Sequence, residues 1–175
     1  MMRALVVYES MFGNTQVIAD AIADGLSGRM HADAVEVGTA PTGIGDDVGL
    51  LVVGGPTHAF GMSRQGTRQD AAKQAKEGLV STGIGIREWL AGLERHPGVA
   101  AFDTRIGKPR LPGSAARGAE KRLRRLGFRI LAPAASFYVE GTVGPLLDGE
   151  QERARRWGER LGSAREAGRA PATPS

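Results

Sequence analysis

The 175-residue chain contains no cysteine. That one absence removes disulfide bridges, thiolate metal sites, iron–sulfur clusters and cysteine nucleophiles, and it fits a reducing cytoplasm. Long apolar runs are missing as well. The N-terminal run stops at Glu9, too short for a signal-peptide core. The longest uncharged stretch, 48–63, is broken by Gly54, Gly55, Pro56, His58 and Gly61, and falls short of the roughly 18 apolar residues of a membrane span. A cytoplasmic protein without a membrane partner is expected. Histidine is scarce: His31, His58 and His96 have no metal-ligand spacing, so no metal site is expected.

What is present suits one domain with a real core, at 41% hydrophobic and 24% charged residues. The net charge of +4 is unevenly spread. Residues 1–60 set Arg3 and Arg29 against seven acids, whereas 105–130 set nine Arg or Lys against Glu120 alone. Such a basic region attracts anionic partners. Its arginines read more simply as a solvated helix face, and a nucleic-acid partner is not expected.

Strand and helix patterns alternate. Arg3–Tyr8 is an apolar run of the buried parallel-strand kind. Val17, Ile18, Ala21, Ile22 and Gly25 share one helical face, and Gly28 ends that helix. Ala34–Val37 predicts a second strand and Val48–Val53 a third. Ile86, Trp89, Leu90 and Leu93 recur at helical spacing up to Pro97, and Val99–Phe102 predicts a fourth strand. Ser114 caps a helix with Ala116, Ala119, Leu123 and Leu126 inward. A last strand lies within Phe128–Val139. Asp148 and Gln151 resemble a capping box before a helix with Ala154, Trp157 and Leu161 inward. The alternation implies an α/β fold: a single doubly wound domain over 1–164, with a parallel sheet and helices on both faces. Residues 165–175 read as a disordered tail, and Met62–Gly85 as a long polar connection of the kind that forms lids.

In such a sheet, ligands bind beyond the carboxyl ends of the strands, so three loops matter. The first, Glu9-Ser10-Met11-Phe12-Gly13-Asn14-Thr15, offers hydroxyls at Ser10 and Thr15, an amide at Asn14, and Gly13 for close backbone approach just before a helix start. Helix N–H groups and the helix dipole favour a phosphate there. It has no lysine, which excludes a Walker-type triphosphate loop. The second loop is Gly54-Gly55-Pro56-Thr57-His58-Ala59-Phe60-Gly61-Met62. The third, Asp103-Thr104-Arg105-Ile106-Gly107-Lys108-Pro109-Arg110, has three cations and no aromatic before Phe128.

Val6, Val7, Tyr8, Ser10, Gly13, Thr15 and Ala19 together resemble the flavodoxin signature, with Phe12 where many flavodoxins carry a hydroxyl residue. The resemblance implies a five-stranded sheet of order 2-1-3-4-5 and an FMN cofactor whose phosphate is held by Ser10, Met11, Phe12, Gly13, Asn14 and Thr15. The second loop resembles the G-x-P-T loop of flavodoxins and FMN-dependent quinone reductases. It implies that Pro56, Thr57, His58, Ala59, Phe60 and Gly61 pack on the flavin ring, with Gly55 or Gly61 free to change backbone conformation. His58 reads equally well as a surface turn residue. Asp103, Thr104 and Arg105 would border the ring from the third loop, where Arg105 would ease full reduction.

Three functions follow: an electron carrier serving a redox partner protein or reductase with an acidic docking face, an NAD(P)H-dependent quinone or nitro reductase, or a module of this fold that has lost its flavin.

Overall fold

The computed structural model describes residues 2–10, 12–41, 43–57, 86–94, 97–107, 115–141 and 143–167. Five parallel strands form one sheet: β1 (Arg3–Tyr8), β2 (His31–Glu36), β3 (Val48–Pro56), β4 (Gly98–Ile106) and β5 (Ala135–Val139), in the order β2-β1-β3-β4-β5. Four α-helices are described: α1 (Asn14–Leu26), α2 (Ile86–Ala91), α3 (Ala115–Arg125) and α4 (Glu150–Ala167). The expected order 2-1-3-4-5 is the observed one. It reverses between β1 and β3, the switch point at which open α/β sheets bind their ligands.

Side chains alternate between the two faces of each strand, and the core divides accordingly. On one face Leu5, Val7, Leu51, Val53, Val99 and Ala101 meet Trp89 and Leu90 of α2 and Ala116, Ala119 and Leu123 of α3. On the other, Val6, Tyr8, Leu50, Val52, Phe102 and Phe137 meet α1 and α4. Phe102, Phe137 and Trp157 pack edge to face there, with ring centroids 6.0–6.3 Å apart. A Cβ on Gly54 would lie 2.2 Å from the Phe102 ring, so that position takes no side chain. Helices α1 and α4 cross almost backbone to backbone. A Cβ on Gly25 would fall 2.0 Å from the Arg155 carbonyl oxygen, and one on Gly158 would fall 2.3 Å from that of Ile22.

Several expectations need correcting. Both β3 and β4 outlast their apolar runs, because Gly54, Gly55 and Pro56 pair with Phe102, Asp103 and Thr104, and Asp103–Ile106 pair with Ser136–Val139. Asp103, Thr104 and Arg105 therefore stand on a strand, not in a loop, and Gly55 is held in the ladder. β2 begins at His31 and ends at Glu36, while Val37 opens a 3₁₀ turn. An edge strand tolerates the polar His31 and Asp33, which bond each other at 3.1 Å. α1 ends at Leu26, and Val17 lies at the margin of its apolar stripe, 37% exposed. The N-cap of α4 is Gly149, at φ +83°, not Asp148. Glu150 turns back to accept from the Tyr138 N–H at 2.8 Å and from Arg153. Arg165 and Glu166, expected in the tail, are anchored: Arg165 donates to the Gly49 carbonyl at 2.8 Å, and Glu166 pairs with Arg29 at 2.6 Å. The connection 62–85 lies outside the described residues. Among those described, no helix is long and apolar enough to cross a membrane.

Candidate functional site

At the carboxyl edge, β1 delivers Glu9 and Ser10, β3 delivers Pro56 and Thr57, and β4 delivers Asp103, Thr104 and Arg105. Five polar residues there are buried: Glu9, Ser10, Thr15, Asp103 and Thr104, none more than 5% exposed. Buried polar groups must be bonded to be tolerated, and the bonds show how the cluster is held together.

Ser10 builds the first loop. Its Oγ accepts from the Gly13 N–H at 3.1 Å and from the Gln16 N–H at 3.3 Å. Gly13 is the N-cap of α1 in a left-handed conformation, φ +90°, with open space where a Cβ would stand. A residue with a side chain would be strained at that φ. The first intrahelical bond runs from the Val17 N–H to the Gly13 carbonyl, so the N–H groups of Asn14 and Thr15 precede the helix ladder as donors for a ligand or water. Thr15 Oγ1 lies 2.7 Å from Thr104 Oγ1. Only one of the two hydroxyls donates in that bond, which leaves the other proton for a further acceptor. The Asn14 side chain donates to the Val143 carbonyl at 2.8 Å, and Gly144 leaves room for it, since a Cβ there would approach Asn14 to 2.6 Å. Phe12 is half-buried.

The second loop is tied to β4. The Thr57 N–H donates to the Thr104 carbonyl at 2.9 Å, and the Thr57 hydroxyl to Asp103 Oδ2 at 2.8 Å. The same carboxylate oxygen accepts from the Ala116 N–H in the first turn of α3, at 3.3 Å. Glu9 packs against Gly55, and its Oε2 accepts from the Ile86 N–H at 3.4 Å. Each helix of that face thus begins beside a buried carboxylate, a favourable arrangement for the helix dipole. Beneath the first loop, burial pushes the Tyr8 phenol up, helped by the negative charges of Asp20 and Glu36, so it stays protonated at neutral pH. Burial likewise raises Asp20.

Of the expected site residues, Ser10, Phe12, Gly13, Asn14, Thr15, Pro56, Thr57, Asp103, Thr104 and Arg105 gather at this edge. Met11, His58, Ala59, Phe60 and Gly61 lie outside the described residues. Asn14 and Thr15 were expected as phosphate donors, yet each has a bond within the protein. Sequence reasoning missed Glu9, whose signal was a carboxylate ending an apolar run, and Val143 and Gly144, for which no signal existed. A groove of about 360 Å³ between α1 and α4, lined by Asp20, Asp24, Gln151, Glu152 and Arg155 among others, includes none of the expected residues.

No protein-family model matches the chain, and no curated protein matches it in sequence. Solved structures do match in fold. A flavodoxin from the domain Archaea superposes with a TM-score of 0.65 at 20% identity, covering 94% of this chain and 99% of that one. Oxidised flavodoxin 1 from Bacillus cereus gives 0.63 at 14% identity, covering 92% and 97%. The Flv1 flavodiiron core from Synechocystis gives 0.63 at 16% identity over 95% of this chain and 36% of that one. Sheet order, the placement of helices on both faces and these superpositions agree: the chain has the flavodoxin-like fold.

Proposed function

We propose that the chain binds FMN at the carboxyl edge between β1 and β3 and passes electrons through it. The observation that carries this reading is the loop from Ser10 to Thr15. It pairs a left-handed Gly13 with helix-start donors at the point where strand order reverses.

The residues present fit a phosphate monoester. The Asn14 and Thr15 N–H groups are donors of the right kind, and so is the Thr15 hydroxyl when its oxygen accepts from Thr104. Ser10 and Asn14 act one step back, holding the loop's shape through Gly13, Gln16 and Val143. Pro56 and Thr57 would border the ring, with His58–Gly61 continuing from them. FMN, when bound, takes up and releases electrons singly or in pairs. The protein's part is to anchor the phosphate, orient the ring and leave one edge reachable.

The partner would be a redox protein or reductase. Exposed Arg117, Lys121, Arg124, Arg125 and Arg129 on and after α3 favour an acidic docking face, with transfer that slows as salt rises. The deciding experiment supplies NAD(P)H to the FMN-loaded protein. A carrier is reduced only when a separate reductase is added. Direct NAD(P)H oxidation with added quinone, faster than free FMN supports, would replace this reading with the reductase one.

A further inference from the structure

Two adjacent residues of β4 hold both ligand loops, one on each face of the sheet. Asp103 faces α3 and takes the Thr57 hydroxyl at 2.8 Å together with the Ala116 N–H. Thr104 faces α1 and bonds the Thr15 hydroxyl at 2.7 Å, while its carbonyl takes the Thr57 N–H at 2.9 Å. Strand alternation alone sends neighbouring side chains to opposite faces. The start of α1 is thus tied to Thr104, and the segment after β3 to both Thr104 and Asp103. Both positions are buried, Asp103 completely and Thr104 to within 5%, so the bonds form away from competing water.

We propose that Asp103 and Thr104 are positioning residues. They form a clasp that fixes the phosphate-binding loop, through Thr15, and the ring-side loop, through Thr57, in one relative geometry. The inference rests on the flavin reading above and refines it: these residues act through the loops, not on the cofactor itself. A rigid separation between the two loops selects a ligand with a phosphate at a fixed reach from a flat ring. Thr104 then controls the phosphate end and Thr57–Asp103 the ring end. Riboflavin, which lacks the phosphate, reports on the ring end alone.

The test compares FMN and riboflavin binding by fluorescence quenching for wild type, Thr104→Val, Thr104→Ser, Thr15→Val, the Thr15→Val/Thr104→Val double variant and Thr57→Val. Losing one buried hydrogen bond is expected to weaken FMN about tenfold in Thr104→Val, with riboflavin nearly unchanged. Thr104→Ser keeps the hydroxyl and is expected to restore FMN binding. The double variant is expected to be no worse than the weaker single, because both remove the same bond. Thr57→Val is expected to weaken both flavins alike. Equal losses of FMN and riboflavin in Thr104→Val, or no loss, would overturn the clasp.

Amide hydrogen exchange on the flavin-free protein keeps the two readings separable. Thr104→Val is expected to speed exchange at residues 13–16, and Thr57→Val to leave those amides unchanged. If wild type bound neither flavin, the cofactor reading would fail. The clasp would then be judged by this exchange pattern alone, and unchanged exchange in Thr104→Val would overturn it.

Discussion

Gly158→Ala and Gly162→Ala make the same substitution one helical turn apart and are expected to move stability in opposite directions. A methyl at 158 would stand 2.3 Å from the Ile22 carbonyl oxygen, so α1 and α4 must part by about 0.7 Å before the contact reaches even 3.0 Å. The obstacle is backbone and cannot rotate away. Overpacking of this kind costs about 1–3 kcal/mol, and alanine's helix preference over glycine returns about 1 kcal/mol. With fixed backbone only 2.3 Å away, the overpacking cost falls in the upper part of its range, about 2–3 kcal/mol. The net expectation is a loss of about 1–2 kcal/mol, which lowers the melting temperature by roughly 3–6 °C for a chain of this size. At 162 the methyl would meet Arg29 Cδ at 3.0 Å, the middle of a flexible side chain that can move. The helix preference then dominates, and stability is expected to hold or rise by up to about 1 kcal/mol. Thermal melts followed by far-ultraviolet circular dichroism measure both. If Gly158→Ala melted at or above the wild-type temperature, the close α1–α4 crossing at Gly158 and Ile22 would be wrong.

Ser10→Ala removes the acceptor of the Gly13 and Gln16 N–H groups and is expected to cost about 1–2 kcal/mol in urea denaturation; an unchanged midpoint would refute the loop-building role. Glu150 is raised by burial, but the bonds from Arg153 and the Tyr138 N–H outweigh this and hold its carboxyl below the ordinary 4.5. A carboxyl lowered on folding contributes stability that is complete above its unfolded pKa and is lost as pH falls through the folded one. Glu150→Gln is therefore expected to unfold more easily than wild type at neutral pH and to converge with it in acid; a gap that persisted in acid would refute this. Arg105→Ala is expected to make full reduction of bound flavin harder, lowering the second-electron potential in a redox titration; an unchanged potential would count against a cation near the ring.

The alternation of buried strands and amphipathic helices was legible because burial on both faces leaves continuous runs such as Val48–Val53, while one-sided burial leaves stripes such as Ala154, Trp157 and Leu161. Strand ends were not legible. Polar Asp103 and Thr104 look like loop residues until their partners, Thr57, Thr15 and the start of α3, arrive from distant parts of the chain. The same holds for Gly54, which reads as a turn and stands in a strand because Phe102 fills the space a side chain would need. The position of the first loop was legible, since Gly and Asn after an apolar strand announce a turn into a helix, and Gly13 indeed caps α1 in a left-handed conformation. Its internal wiring was not. Sequence offers Ser10, Asn14 and Thr15 as donors to a phosphate, whereas the fold gives each a bond within the protein, including one to Val143, 129 residues away.

The most direct measurement is a titration of the purified, flavin-free protein into FMN and, separately, into riboflavin, read by flavin fluorescence and the visible spectrum. Two charge-assisted N–H bonds to the phosphate, at roughly 1.5 kcal/mol each, correspond to about a hundredfold preference for FMN. Saturable one-to-one binding with that preference is the expected result. No binding of FMN, or equal binding of FMN and riboflavin, would contradict a phosphate anchor at Ser10–Thr15.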